Sequence, residues 1–271
     1  MGKVWFITGT SRGFGRSFAE SALKRGDRVA ATAREISSLD GLVAEYGDAV
    51  LPLALDVTDR QAVTAAVAAA HEKFGRLDVV VNNAGYGLFG MIEELSEQQL
   101  RDQMETNFFG AFWVTQAVLP ILRAQQSGHI VQISTIGGIA AFPSLGGYHA
   151  SKWALEGFSE SLAQEVAGFG IKVTLVEPGG FSTDWAGSSA VFAEPDPVYG
   201  AIREAMAARR GTAQIGDPEA AGPALLQIVD ADNPPLRVLF GSQPTGIVKH
   251  VYAQRLETWQ QWESVSHAAQ G

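Results

Sequence analysis

Val4-Trp5-Phe6-Ile7-Thr8-Gly9-Thr10-Ser11-Arg12-Gly13-Phe14-Gly15 opens the chain with an apolar run followed by a glycine-spaced polar turn. The run lacks polar alternation, as expected of a strand covered on both faces. Gly9, Gly13 and Gly15 permit a tight turn and let backbone N–H groups approach a phosphate closely. A helical pattern begins at Phe14, so the glycines fall at the first strand-to-helix junction. A helix N-terminus adds positive potential there. A glycine cluster elsewhere would be only a turn; at this junction it is a dinucleotide-binding signature. The reading assigns Gly9, Ser11, Arg12, Gly13, Phe14 and Gly15 to a pyrophosphate-binding loop.

The same rhythm continues along the chain. Apolar runs at 4–7, 28–32, 50–53, 79–81, 130–133, 172–176 and 238–240 read as strands. Helical patterns lie between them, at about 14–25, 59–73, 97–124, 148–167 and 217–229. Alternation of this kind predicts a Rossmann-type α/β fold, a doubly wound parallel sheet of about seven strands with helices on both faces. Thr58-Asp59 precedes an Ala-rich helix, and Ser96 with Gln99 three residues on is a capping box. No linker or repeat divides residues 1–271, which read as one domain. The stretch 180–212 breaks the rhythm after the sixth strand, where an open α/β sheet carries a binding loop or lid. The tail, about 246–265, reads as a packed amphipathic helix with Val251, Leu256, Trp259 and Trp262, rather than as a partner site.

Composition narrows the function classes. A chain of 271 residues that is 46% hydrophobic and 18% charged is an ordinary globule, and one core of that size is feasible. The net charge of −9 argues against nucleic acid or an anionic membrane as partner. With no cysteine, disulfides, thiolate catalysis and Cys-based metal sites are excluded, and no metal is expected. The apolar run at the N-terminus is too short for a signal peptide, and no stretch is long enough to span a membrane. A cytoplasmic location is the expectation.

The second strand ends in Ala33-Arg34, where a carboxylate would bind the ribose hydroxyl of NAD and an arginine takes the 2′-phosphate of NADP. Arg12 is a second cation within reach of that phosphate, and guanidinium geometry suits it. NADP(H) is therefore expected over NAD(H). Asp56, with Val57, follows the third strand and can hold the adenine amino group or cap the next helix. Asn82-Asn83-Ala84-Gly85 ends the fourth strand, where small residues let the backbone lie beside a cofactor.

Tyr148 and Lys152, four apart in a helical segment, share one face. A neighbouring ammonium favours phenolate and lowers a tyrosine pKa from about 10, making Tyr148 a competent acid/base.

Thr8–Gly15, Asn82-Asn83-Ala84-Gly85, Tyr148-x-x-x-Lys152 and Pro178-Gly179, in this order and spacing, resemble the short-chain dehydrogenase/reductase (SDR) family. The wording around 158–162 and 216–219 is similar to bacterial members grouped with 17β-hydroxysteroid dehydrogenases. The resemblance implies Tyr148 as the catalytic acid/base and Lys152 as both ribose ligand and modulator of the tyrosine. It implies Asn107 as the helix asparagine whose backbone holds a relay water, and Pro178, Gly179 and Thr183 beside the nicotinamide. Thirteen residues before Tyr148 the family usually has serine; this chain has Thr135, which supplies the same hydroxyl, with Ser134 as the alternative.

Tyr86, Phe142, Leu145, Phe181 and Trp185, together with Phe89, Pro143 and His149, are candidate pocket walls. His149 reads as a helix-surface residue rather than a catalyst. With no Arg or Lys among them to clamp a carboxylate or phosphate, the expected substrate is a small hydrophobic ketone, aldehyde or secondary alcohol, in carbonyl-reductase chemistry. The alternative class is a non-catalytic NADP(H)-binding sensor or regulatory protein; an epimerase or dehydratase usually carries a longer C-terminal substrate domain. By family analogy, helices 97–124 and 148–167 pair into a homodimer or homotetramer.

Overall fold

The computed structural model describes residues 2–210 and 215–271. Met1, and Gly211 and Thr212 at the end of the expected 180–212 loop, lie outside the described residues. The strands are β1 (Val4–Ile7), β2 (Arg28–Ala33), β3 (Val50–Ala54), β4 (Val79–Asn82), β5 (Leu88–Phe89), β6 (Gly128–Ile133), β7 (Ile171–Pro178), β8 (Val191–Phe192) and β9 (Arg237–Phe240). The helices are α1 (Gly13–Lys24), α2 (Asp40–Tyr46), α3 (Arg60–Phe74), α4 (Glu97–Met104), α5 (Gly110–Gln125), α6 (Gly146–Val166), α7 (Gly200–Arg210), α8 (Ala221–Asp230), α9 (Pro244–Gln261) and α10 (Glu263–Ala268).

Seven strands form one parallel sheet in the order β3-β2-β1-β4-β6-β7-β9. All seven coincide with the runs read from sequence. Alternate residues of β1 explain why those runs are continuously apolar. Trp5 and Ile7 enter a core with Phe18, Ala22 and Leu225 on one face. Val4 and Phe6 enter a second core with Val67, Val118 and Leu122 on the other. Each such side chain, fully buried, contributes about 1.5–3 kcal/mol of transfer free energy.

Strand order reverses between β1 and β4, and the crevice at that reversal is where open α/β sheets bind ligands. The two strand ends are stitched together there. Thr8 N–H donates to Val81 O at 3.0 Å, and Thr8 Oγ1 accepts from Asn83 N at 2.9 Å.

Helix boundaries depart from the sequence reading in instructive places. Asp59 caps α3, accepting from the amides of Gln61 and Ala62 at 2.8 and 3.0 Å. Asp56 is thus not the helix cap; it accepts from Thr58 N and Oγ1 at 2.9 and 2.8 Å. The expected helix 97–124 begins with the Ser96/Gln99 capping box but is broken by a π-helical turn at Glu105–Phe109. Short α2, and α7 within the loop after β7, were not legible as helices.

The tail is the largest correction. Of the residues in α9 only Pro244 is buried, while Tyr252, Leu256, Trp259, Trp262 and Val265 are exposed. The helix leaves the sheet edge after β9 and is held from the side. Arg255 donates to Ile139 O at 2.7 Å and lies over the Trp153 ring at 5.1 Å. Among the described residues, no helix is long and apolar enough to cross a membrane.

Candidate active site

A cavity of about 900 Å³ opens over the carboxyl ends of the strands. Its walls include Gly9, Ser11, Arg12, Gly13 and Phe14 of the first loop, Ala33 and Arg34 after β2, and Asp56, Val57 and Thr58 after β3. Asn83, Ala84, Gly85 and Tyr86 follow β4; Pro178, Gly179, Phe181 and Thr183 follow β7. Thr135, Leu145, Tyr148 and Lys152 complete the far side. Residues spread over 175 positions of sequence therefore meet at one crevice because parallel strands deliver all their carboxyl ends to the same edge.

The glycine loop is built to receive a phosphate. Gly9 and Gly13 have φ of +70° and +59°, left-handed conformations that favour glycine. Arg12 stands at the N-cap of α1 with no side-chain cap, so the first-turn amides are open to an anion. Gly15 differs from its assignment. It does not line the cavity, and a Cβ there would meet Gly9 O at 2.2 Å and Asn83 Nδ2 at 2.5 Å. It packs the start of α1 against Gly9 and the Asn83 side chain instead. Asn83 Nδ2 in turn donates to Thr8 O and Gly9 O at 2.9 and 3.0 Å, fixing the loop.

The two arginines expected to share a phosphate stand differently. Arg12 NH1 is 2.7 Å from Asp184 Oδ2 and 3.0 Å from Ser188 Oγ, so it spans the mouth to the loop after β7. Arg34 is exposed at the cavity wall, with no hydrogen bond or ion pair to another side chain among the described residues.

On the opposite side, Tyr148 and Lys152 share a face of α6, both buried. Their coupling is not the one expected. Lys152 Nζ donates to Ile133 O at 2.7 Å and lies 6.0 Å from the Tyr148 ring centroid. Burial pushes the Tyr148 phenol above its ordinary value, and the opposing influence is a hydrogen bond with Thr135, not the ammonium. Burial lowers Lys152 to about 8, against the attraction of Glu156. Thr135 Oγ1 accepts from Gly137 N at 3.2 Å at the start of the 136–138 turn and donates to Pro178 O at 3.4 Å. Ser134 also borders the cavity, but Thr135 is the hydroxyl whose influence lowers the Tyr148 phenol against burial.

Asn107 sits in the π turn and does not line the cavity. Its Oδ1 accepts from Tyr86 N at 3.1 Å, and its Nδ2 donates to Tyr86 O at 3.0 Å and Ser151 Oγ at 3.2 Å. The side chain is fully used in bracing the segment after β4. A π turn offsets the helical hydrogen-bond ladder at this point.

The pocket walls divide. Trp185 stacks obliquely on Tyr148 at 4.9 Å and on Phe89 at 5.1 Å. Gly87 makes this possible: a Cβ there would meet the Trp185 ring at 2.8 Å. Phe181 packs edge-on to Phe14 at 4.9 Å, on the nucleotide side. Phe142 is not a wall. It is exposed and lies against His149 at 5.7 Å, while Pro143 and His149 are also absent from the lining. His149, expected at a helix surface, is buried, and burial lowers it to about 4.

Sequence reasoning missed the two-residue strands β5 and β8, which pair in parallel and bring Val191 to the cavity. Two residues carry no periodicity to read. It also missed Asp184, whose partner Arg12 is far away in sequence.

The short chain dehydrogenase family model matches residues 3–191, and the chain belongs to that family, an oxidoreductase of the short-chain type. It is 48% identical over 246 residues to "Oxidoreductase BOA17" of Botryotinia fuckeliana, covering 89% of each chain. A short-chain dehydrogenase from Streptomyces avermitilis superposes with a TM-score of 0.91 at 41% identity, covering 98% of both chains. Two further solved structures carry cofactors. An alcohol dehydrogenase from Thermococcus sibiricus complexed with 5-hydroxy-NADP has 26% identity and a TM-score of 0.75, over 89% of this chain and 97% of that one. A short-chain dehydrogenase/reductase from Burkholderia phymatum in complex with NAD has 25% identity and a TM-score of 0.80, over 92% of each.

Proposed function

We propose that the chain is an NADP(H)-dependent carbonyl reductase or alcohol dehydrogenase acting on hydrophobic ketones, aldehydes or secondary alcohols. The observation that carries this reading is the meeting of Thr135, Tyr148 and Lys152 on one wall of a cavity whose other end is a glycine loop. The residues present fit a dinucleotide: left-handed glycines, open first-turn amides, and a free guanidinium at Arg34 where a 2′-phosphate would lie. A nicotinamide cofactor bound there supplies or accepts the hydride.

The protein's own groups do the rest. Thr135 and Tyr148 offer two hydroxyls to one substrate oxygen, and Tyr148 delivers its proton as that oxygen gains charge. Burial keeps Tyr148 protonated, the form needed for reduction. Lys152 presents a charged ammonium beside the crevice, available to a ribose hydroxyl and to the developing phenolate. The Asn107 side chain holds Tyr86 and so the path after β4; its backbone stands in the π turn where a relay water is expected. Phe89, Leu145, Trp185 and Val191 give an apolar substrate end. Segment 180–210 acts as the lid, latched through Arg12–Asp184 and through Glu94, which pairs with Arg203 and accepts from Asp196 N at 2.8 Å. The whole chain works as one Rossmann domain in the cytoplasm, assembled as a homodimer or homotetramer.

The test is net consumption of NADPH by purified protein with a panel of hydrophobic ketones and aldehydes, with the alcohol recovered. Stoichiometric alcohol supports the reading; tight cofactor binding with no product from any member overturns it.

A further inference from the structure

Behind Lys152, away from the cavity, lies a buried charged cluster that the proposed chemistry leaves unused. Glu156 follows Lys152 by one helical turn on α6, and Glu177 comes from β7; both are buried. Arg237 of β9 closes the cluster, with Nε 3.0 Å from Glu156 Oε2 and 3.5 Å from Glu177 Oε1. Its NH2 reaches outward to Glu160 of α6 at 2.8 Å. The turn at 136–138 covers the cluster without a charged residue, and Ser134 borders Glu156 beside Gly138.

The two buried carboxyls converge on one guanidinium nitrogen, Arg237 Nε. Ionised carboxylates are acceptors only, so neither can satisfy the other without a proton. Three buried oxygens in the cluster, Ser134 Oγ, Glu156 Oε1 and Glu177 Oε1, have no hydrogen-bond partner among the described residues, and the Ser134 hydroxyl brings only one donor for the two carboxyl oxygens. A proton on the pair supplies the missing donor. Charge balance agrees: with one proton shared, the pair and Glu160 carry two negative charges against Lys152 and Arg237; with none, a buried negative charge is left over.

We propose that Glu156 and Glu177 share one proton at neutral pH, and that the pair is a positioning element whose remaining negative charge holds Lys152 as an ammonium. Its catalytic meaning rests on the oxidoreductase reading above; the shared proton does not. As pH rises the pair releases its proton to solvent and its negative charge doubles. The attraction on Lys152 then grows when the lysine would otherwise deprotonate. The pair thus extends the pH range over which a buried lysine stays charged. Burial raises both carboxyls, Glu177 to about 8, in the range to which burial brings Lys152.

Two measurements test it. Infrared spectra of protein labelled with 13C-glutamate should show a protonated carboxyl band at pH 7 that Glu177→Gln and Glu156→Gln each remove. In a titration of NADPH affinity against pH, Glu156→Gln should bring the alkaline limb down by about one pH unit, the effect of losing a nearby opposite charge. Glu177→Gln leaves Glu156 ionised one helical turn from Lys152 and removes only the second, more distant charge gained at high pH, so it should bring the limb down by clearly less. A role confined to packing would move both variants alike. Absence of the band in the wild type, or an unmoved limb in Glu156→Gln, overturns the proposal. Failure of the wild type to bind NADPH at any pH would instead sink the oxidoreductase reading, leaving the band to decide the pair.

Discussion

Arg12 of the glycine loop and Asp184 of the loop after β7 form an ion pair of 2.7 Å across the mouth of the cavity. Asp184 is held in turn by the hydroxyls of Ser188 and Ser189 at 2.9 and 2.8 Å, and these bonds keep its carboxyl below its ordinary value. A guanidinium so engaged is a latch first and a phosphate ligand second.

On the proposed reading, discrimination between NADPH and NADH should fall on Arg34. Loss of a charge-assisted phosphate contact is worth about 1.5–3 kcal/mol. Arg34→Ala should cut the NADPH/NADH affinity ratio by roughly ten- to a hundredfold. Arg12→Ala should weaken both cofactors together and change the ratio by less than about threefold. Fluorescence titration of each variant with both cofactors measures this, and an equal loss of the ratio in the two variants would show that both arginines bind the phosphate.

Tyr148→Phe should lower kcat by about 10²- to 10⁴-fold, the usual worth of a positioned proton donor. Cofactor affinity should stay within about twofold, because the ring still packs against Trp185 at 4.9 Å and only the hydroxyl is lost. Single-turnover kinetics beside a binding titration separate the two. Near-normal turnover would remove Tyr148 from the mechanism.

Thr135 lines the cavity with Tyr148 and is proposed to offer its hydroxyl to the same substrate oxygen, so its methyl group should matter little and its oxygen a great deal. Thr135→Ser should keep kcat within about threefold, whereas Thr135→Val should lose about a hundredfold, as for removal of one donor to a developing oxyanion. Equal loss in both variants would point to packing by the methyl group instead.

Stability should carry a signature of the buried acid. Glu177 is raised from 4.5 to about 8, so the folded state binds the extra proton between those values and stability falls as pH rises through that window. His129 and His149, lowered from 6.5 to about 4, act in the opposite sense, stability rising with pH up to 6.5. The downward slope should therefore show between about 6.5 and 8 and be removed by Glu177→Gln. Denaturant unfolding at stepped pH measures it; identical slopes in both proteins would contradict a protonated Glu177.

The sheet was legible because its strands are covered on both faces and thus read as unbroken apolar runs, from Val4–Ile7 to the segment around Val238. The crevice was legible because glycines and small residues recur at strand ends, as at Gly9 and Gly85. What escaped has a common cause: it depends on partners far apart in sequence. Phe142 reads as a pocket wall by its hydrophobicity, yet it is exposed and meets His149 edge-on. The lysine–tyrosine spacing is visible, but not that Ile133 O holds the ammonium or that burial dominates the phenol. The exposed aromatic residues of α9 have an amphipathic spacing, which cannot tell whether the body of the protein reaches far enough to cover them.

Hydride transfer is the central claim, and transfer of label tests it most directly. Wild-type protein is incubated with NADPH deuterated at the nicotinamide C4 position and a hydrophobic ketone, and the alcohol is examined by mass spectrometry. Deuterium on the carbinol carbon, from one of the two C4-labelled epimers only, is the predicted result. Alcohol without label, or no alcohol from any ketone while the cofactor binds tightly, would contradict the account.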